Sequence, residues 1–260
     1  MFEYAFMWKA LIAGLAIAIS AALLGTSLVL RRNSMIGDGL SHVSFGAMAV
    51  AVALGIAPLW FAIPVSVVAS IFLLSLNERH RVNGDSAIAM LSAVALAIGV
   101  VAVSLSGTNI DINGYMFGSI LAISNENLIL SLLLLTIVVI FFAKFRKQIF
   151  VLTIDETFAR AIGIRTKAFN VFFAILSSVV IVLGMKLLGV LLVSSLIVFP
   201  NISAKYLAKS FKGLTIWSIV IAALSFFIGL IFSYLLNLPT GASVVLASAL
   251  IFVLAKFISL

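Results

Sequence analysis

The chain has 260 residues, of which 64% are hydrophobic and only 9% charged, with a formal net charge of +8. A soluble domain carries about a quarter of its residues as charges, so an ordinary water-soluble enzyme or regulator is excluded. Continuous apolar runs such as LILSLLLLTIVVIFF do not alternate and so exclude a spanning β-barrel, and the lack of cysteine excludes disulfides and thiolate metal sites.

The fold class is therefore an all-α integral membrane bundle, and the chain is read as one transmembrane domain over 1–260. Runs of roughly 20 apolar residues span the hydrocarbon core as helices. Such runs fall at about 6–30, 36–55, 58–76, 86–106, 128–143, 168–184, 187–200, 213–236 and 243–258. The run 187–200 is short, so eight or nine spans are expected. The first is read as a span and not a cleaved signal, because its apolar stretch is long, Glu3 precedes it and Arg31-Arg32 follow as a stop-transfer flank.

The second span carries the sequence Met35-Ile36-Gly37-Asp38-Gly39-Leu40-Ser41-His42. Asp38 is the one acid inside a predicted span, and His42 is one of two histidines in the chain. Ionisable groups at membrane depth are costly and are usually functional. Four residues apart on a helix, the two share one face. A carboxylate and a neutral imidazole suit divalent zinc, manganese or iron. Two copies meeting across a two-fold axis would double the pair to four ligands. An ordinary Asp–His hydrogen bond that steadies packing, or a position at the cytoplasmic interface close to Arg32, remains open on spacing alone.

Further along, 110–123 is apolar but short and interrupted by Gly114 and Gly118, which suits a re-entrant segment covered by protein. The stretch 144–167 is longer and more polar than the other connections. Within it, Thr153 followed by Asp155 and Glu156 reads as an N-cap and acidic first turn of a short amphipathic helix over 153–164. Phe158 and Ile162 share its face and Gly163 ends it. This helix is either a docking knob for a partner or a connector on the membrane surface. Asn201, after Pro200, and Asn237, before Pro239, face a pore or cap helix ends.

Charge orients the bundle. With the N-terminus outside and the C-terminus cytoplasmic, only Lys9 and Lys186 of the 16 Lys and Arg residues fall outside. That is the positive-inside pattern, and it accounts for the net charge without nucleic acid. No GxxxxGK[ST] phosphate loop occurs, so any ATP hydrolysis resides on another chain.

In order along the chain, Met35–His42, the segment Gly114-Tyr115-Met116-Phe117-Gly118-Ser119-Ile120-Leu121, Asp155–Gly163, Lys186–Ser195 and Asn237–Ala242 resemble motifs of the membrane permease subunits of ABC importers for zinc, manganese and iron. The first is similar to that family's MGDALSHA stretch, the second to its YLFGxxL segment and the third to its coupling helix. The resemblance implies a transport subunit and not an enzyme. It implies a second permease copy, identical or not, a cytoplasmic ATPase that carries the ATP, and an extracytoplasmic metal-binding protein. It implies that Asp38 and His42 contact the transported ion, with no permanently bound cofactor. It also implies that Asp155, Glu156, Phe158, Ala159 and Gly163 form the ATPase-coupling segment. The expected location is a bacterial inner membrane. Zinc is the first expectation, with manganese or iron, or an ATPase-independent secondary metal transporter, as alternatives. Asn237 stands where the family often has Asp, and Pro200-Asn201-Ile202-Ser203-Ala204 stands where it commonly has PAATA.

Overall fold

In the bilayer the backbone must satisfy its own hydrogen bonds, and the helix does so within one segment. The computed structural model describes residues 5–78, 84–106 and 123–258. Among them are α1 (Ala5–Leu30), α2 (Met35–Ala53), α3 (Pro58–Glu78), α4 (Gly84–Ser106), α5 (Asn125–Ile154), α6 (Glu156–Ala161), α7 (Thr166–Leu188), α8 (Val190–Leu207), α9 (Phe211–Leu236) and α10 (Thr240–Ile258), and no strand. Eight of these are long and apolar enough to cross a membrane. The doubtful ninth is α3, whose apolar part is Pro58–Leu73, and not the run 187–200, which α8 extends to Leu207. The segment 110–123 falls outside the described residues but for its last residue, as does the motif 114–121 within it.

Between lipid-facing helices there is little hydrophobic drive, so close packing of small residues does more of the work. Helix α1 shows this. Ala10, Ala13, Ala18, Ala21 and Ala22 are fully buried, and α1 touches α5, α7, α8 and α9. Helix α2 is likewise enclosed, with its largest contact on α4. There Gly46 lies against the backbone of Ala95, and Gly99 lies against the Gly46 backbone, so a side chain at either position would force the helices apart. Helices α4, α5 and α10 expose most of their apolar surface, as lipid-facing or partner-facing helices do.

Two features differ from the sequence expectation. The first is α5, where helix does not stop near residue 143: after a kink with non-helical backbone at Phe145 (φ −108°, ψ 19°), a second helical piece carries it to Ile154. Lys144, Arg146 and Lys147 end the apolar run without ending the helix, because all three are good helix formers. The second is the reversal from α7 to α8 through Gly189 alone. Its φ of 93° is open to glycine and strained for other residues. Gly184 then sits against Val193, so the two helices double back as a hairpin.

Candidate functional site

Helix α2 is buried along most of its length, but Met35, Asp38 and His42 are not. At spacings of three and four they form one strip. His42 Nε2 lies 3.7 Å from Asp38 Oδ2, with side-chain exposures of 28% and 50%. The spacing thus does place both on one face. Asp38 stands in the first turn of α2, where the free N–H groups favour a negative charge.

Helix α8 faces the pair. Its incompletely buried residues Leu191, Ser194 and Val198 also form a strip. Ser194 Oγ donates to Asp38 Oδ1 at 3.3 Å and to its own helix at Val190 O, also at 3.3 Å, and it lies 3.5 Å from Ser41 Oγ. Nothing in the neighbours of Ser194 along the chain signals a partner on α2. The site therefore presents a carboxylate, an imidazole and a hydroxyl. No group of three or more acidic, histidine or cysteine side chains that could hold a metal ion occurs among the described residues.

The 153–164 segment is also a helix, shorter than the sequence suggests. Asp155, not Thr153, is the N-cap of α6: its backbone is extended (φ −148°, ψ 106°) and its Oδ1 accepts from the Phe158 N–H at 2.9 Å. Thr153 belongs to the last turn of α5, where its hydroxyl donates to Ile149 O at 2.6 Å and pairs with Ser27 Oγ at 2.8 Å. The helix first placed at 153–164 is thus Glu156–Ala161. Ala159 is fully buried beneath it, whereas Phe158 and Ile162 are more than half exposed. Gly163, at φ 84°, turns the chain away. Glu156 Oε1 accepts from Asn170 Nδ2 at 3.1 Å and lies 3.5 Å from Arg160 Nη2.

Neither description given for Asn201, pore-facing or capping, fits its position. It lies inside α8 and is 2% exposed. Its Oδ1 accepts from Thr26 Oγ1 at 3.0 Å and Ser218 Oγ at 2.8 Å, and its Nδ2 donates to Ala22 O at 3.0 Å and Ile197 O at 2.8 Å. It knots α1, α8 and α9 together. Asn237 does end a helix: it is the C-cap of α9 in the left-handed conformation (φ 52°, ψ 40°), which asparagine tolerates better than most residues.

The arrangement, among the described residues, of nine long helices, a short exposed helix between α5 and α7, and an open Asp–His strip on α2 can be compared with known proteins. Residues 3–259 match the model of the ABC 3 transport family. The chain belongs to that family. It is a multi-pass membrane transport subunit and not an enzyme, and ATP hydrolysis in such systems belongs to separate subunits. The permease is 28% identical to the manganese transport system membrane protein MntC of Listeria monocytogenes, over 98% of this chain and 91% of that one. It is also 28% identical to the Haemophilus influenzae protein named "Probable iron transport system membrane protein", over 99% of this chain and 92% of that one. Its structure superposes on PsaBC from Streptococcus pneumoniae, solved in complex with Fab, with a TM-score of 0.88 at 26% identity, covering 98% of this chain and 92% of that chain.

Proposed function

We propose that this permease is the membrane-spanning subunit of an ATP-driven importer of divalent first-row transition-metal ions. The observation that carries the reading is the Asp38–His42 pair, 3.7 Å apart on the open strip of a helix that is otherwise largely enclosed. A second permease copy, identical in the simplest case, would bring another pair to the same path. Four such ligands without thiolate hold an ion but let it leave, as transport requires. Relatives named for manganese and for iron support the class of ion and do not favour zinc. Uptake of manganese(II), iron(II) and zinc(II) measured side by side distinguishes them.

Helix α6 is assigned to docking on the ATPase. Phe158 and Ile162 project from it, and the N-cap at Asp155 and the turn at Gly163 fix its two ends. The orientation follows the charge pattern, with the N-terminus outside and the C-terminus in the cytoplasm of a bacterial cell. In keeping with it, Arg31 contacts the end of α5 beside α6. Lys186 instead donates to Asn127, at the opposite end of α5, at 3.3 Å. An extracytoplasmic metal-binding protein would deliver the ion to that opposite end. Asn201 and Asn237 are assigned to holding helices and not to gating.

The test is the double variant Asp38→Ala, His42→Ala. Metal uptake into cells or vesicles should fall to background while the protein still inserts and purifies with its ATPase. Normal uptake by that variant would overturn the ligand assignment.

A further inference from the structure

The last turn of α1 is joined to the cytoplasmic end of the bundle by polar contacts that the transport reading leaves unused. Arg31 immediately follows α1. Its Nη2 donates to Leu152 O at 2.9 Å and its Nη1 donates to Asn170 Oδ1 at 3.0 Å. The last four carbonyls of a helix lack intrahelical donors, and Leu152 is among them because α5 ends at Ile154. A cation at that end also complements the helix dipole. Asn170 then passes the contact on, since its amide nitrogen donates to Glu156 Oε1 at 3.1 Å, at the first residue of α6. One turn back on α1, Ser27 pairs with Thr153 at 2.8 Å. Phe141, Phe169 and Phe173 line the same pocket as Arg31 and make its surroundings apolar. Burial lowers the affinity of the guanidinium for its proton, and the charge of Glu156 acts the other way.

The mechanical setting gives these contacts meaning. The kink at Phe145 separates the membrane part of α5 from residues 146–154, and the extended backbone of Asp155 joins these to α6. Phe145 packs on Phe141 and Phe169 with ring centroids 5.4 and 5.3 Å apart. The stretch 146–154 is thus a short arm hinged at an aromatic cluster and followed, after one extended residue, by α6. At its far end, Arg31, Ser27 and Asn170 supply polar ties. On the other side of Arg31 the chain has little slack. Arg32 N–H donates to Val29 O at 3.1 Å and Asn33 N–H to Leu28 O at 2.9 Å, with Arg32 in the left-handed conformation at φ 61°. These are the two bonds of a Schellman turn. Helix α2 starts at Met35, and Asp38 lies in its first turn.

We infer that Arg31 is a positioning residue that transmits movement of α6 to the first turn of α2, and so links the ATPase to the metal path. This rests on the reading of α6 as the docking helix and of Asp38 and His42 as the ion contacts. Lysine cannot replace it fully, because a compact ammonium does not present the rigid fork that reaches Leu152 O and Asn170 together.

The experiment uses the complete transporter, permease with its ATPase, reconstituted in vesicles, with manganese(II) as the probe. It measures ions imported per ATP hydrolysed. Arg31→Met should leave ATPase association and hydrolysis nearly intact, while import per ATP falls about tenfold or more, within the range of ordinary energetic coupling. Arg31→Lys should fall between. Asn170→Leu, which keeps the Leu152 contact and cuts the Glu156 link, should lower the ratio about threefold, a smaller loss of coupling. The inference is overturned if import per ATP is unchanged in both Arg31→Met and Asn170→Leu, if import and hydrolysis fall in equal proportion, or if neither variant assembles. Because the chain has no cysteine, Phe158→Cys in the parent reports docking cleanly by cross-linking. An unchanged ratio with the cross-link present removes only the role of Arg31. No cross-link removes the docking reading itself.

Discussion

Two polar clusters in this bundle are built on opposite terms. Around Asn201, four hydrogen bonds of 2.8–3.0 Å use both sides of the amide, and the residue is 2% exposed. At Asp38 and His42 the two side chains are 3.7 Å apart, half and about a quarter exposed, and Ser194 reaches the carboxylate at 3.3 Å. Polar groups left unpaired in an apolar medium are expensive. The Asn201 knot meets that cost inside the chain and leaves nothing for a ligand. The α2 strip keeps a carboxylate and an imidazole available, which is the condition for a group that must bind something from outside. Under the proposed function, closure goes with the structural cluster and openness with the ion path.

The contrast can be broken at either cluster. The largest effect is expected for Asp38→Asn, which keeps size and removes charge. Uptake should fall by more than the roughly 10- to 100-fold that outer-shell changes cost metal sites, with the melting temperature within about 2 °C of the parent. If stability fell as well, Asp38 would belong with the structural cluster. Next comes Asn201→Leu, which strands the hydroxyl of Ser218 and removes the amide's bonds to Thr26 and to two helix carbonyls, while Thr26 keeps its bond to Ala22 O. Each stranded buried group costs about 1–3 kcal/mol in soluble proteins, and measured hydrogen bonds between membrane helices are smaller, about 0.6 kcal/mol on average. The melting temperature in detergent should drop by about 3–6 °C, with uptake per inserted molecule within about twofold of the parent. Lost uptake at full stability would return Asn201 to the path. The smallest effect is expected for Ser194→Ala. Losing one weak bond to Asp38, worth about 1 kcal/mol, should raise the KM for metal about fivefold without moving the melting temperature. Abolished uptake would make Ser194 a ligand, and an unchanged KM would remove it from the site.

Much of this was legible along the chain. The nine runs became nine helices to within a few residues at most ends, because a long apolar run at membrane depth has no other way to satisfy its backbone. The shared face of Asp38 and His42 followed from their spacing alone. The helical continuation of α5 was hidden because Lys144, Arg146 and Lys147 mark where apolar character ends, and helices do not stop for charge. The cap at Asp155 was misassigned to Thr153 because the partner that claims the Thr153 hydroxyl, Ser27, is 126 positions away. Asn201 was read as a pore or cap residue for the same reason, with its partner Thr26 lying 175 positions away.

The sequence by itself determined the medium, the helices and the one acid placed within a predicted apolar span, because hydrophobicity and local spacing decide those without reference to the rest of the fold. Only the tertiary structure decided which polar groups are closed and which stay open. Satisfaction of a hydrogen bond depends on what another helix brings to within about 3 Å, and no spacing along one strand of sequence contains that.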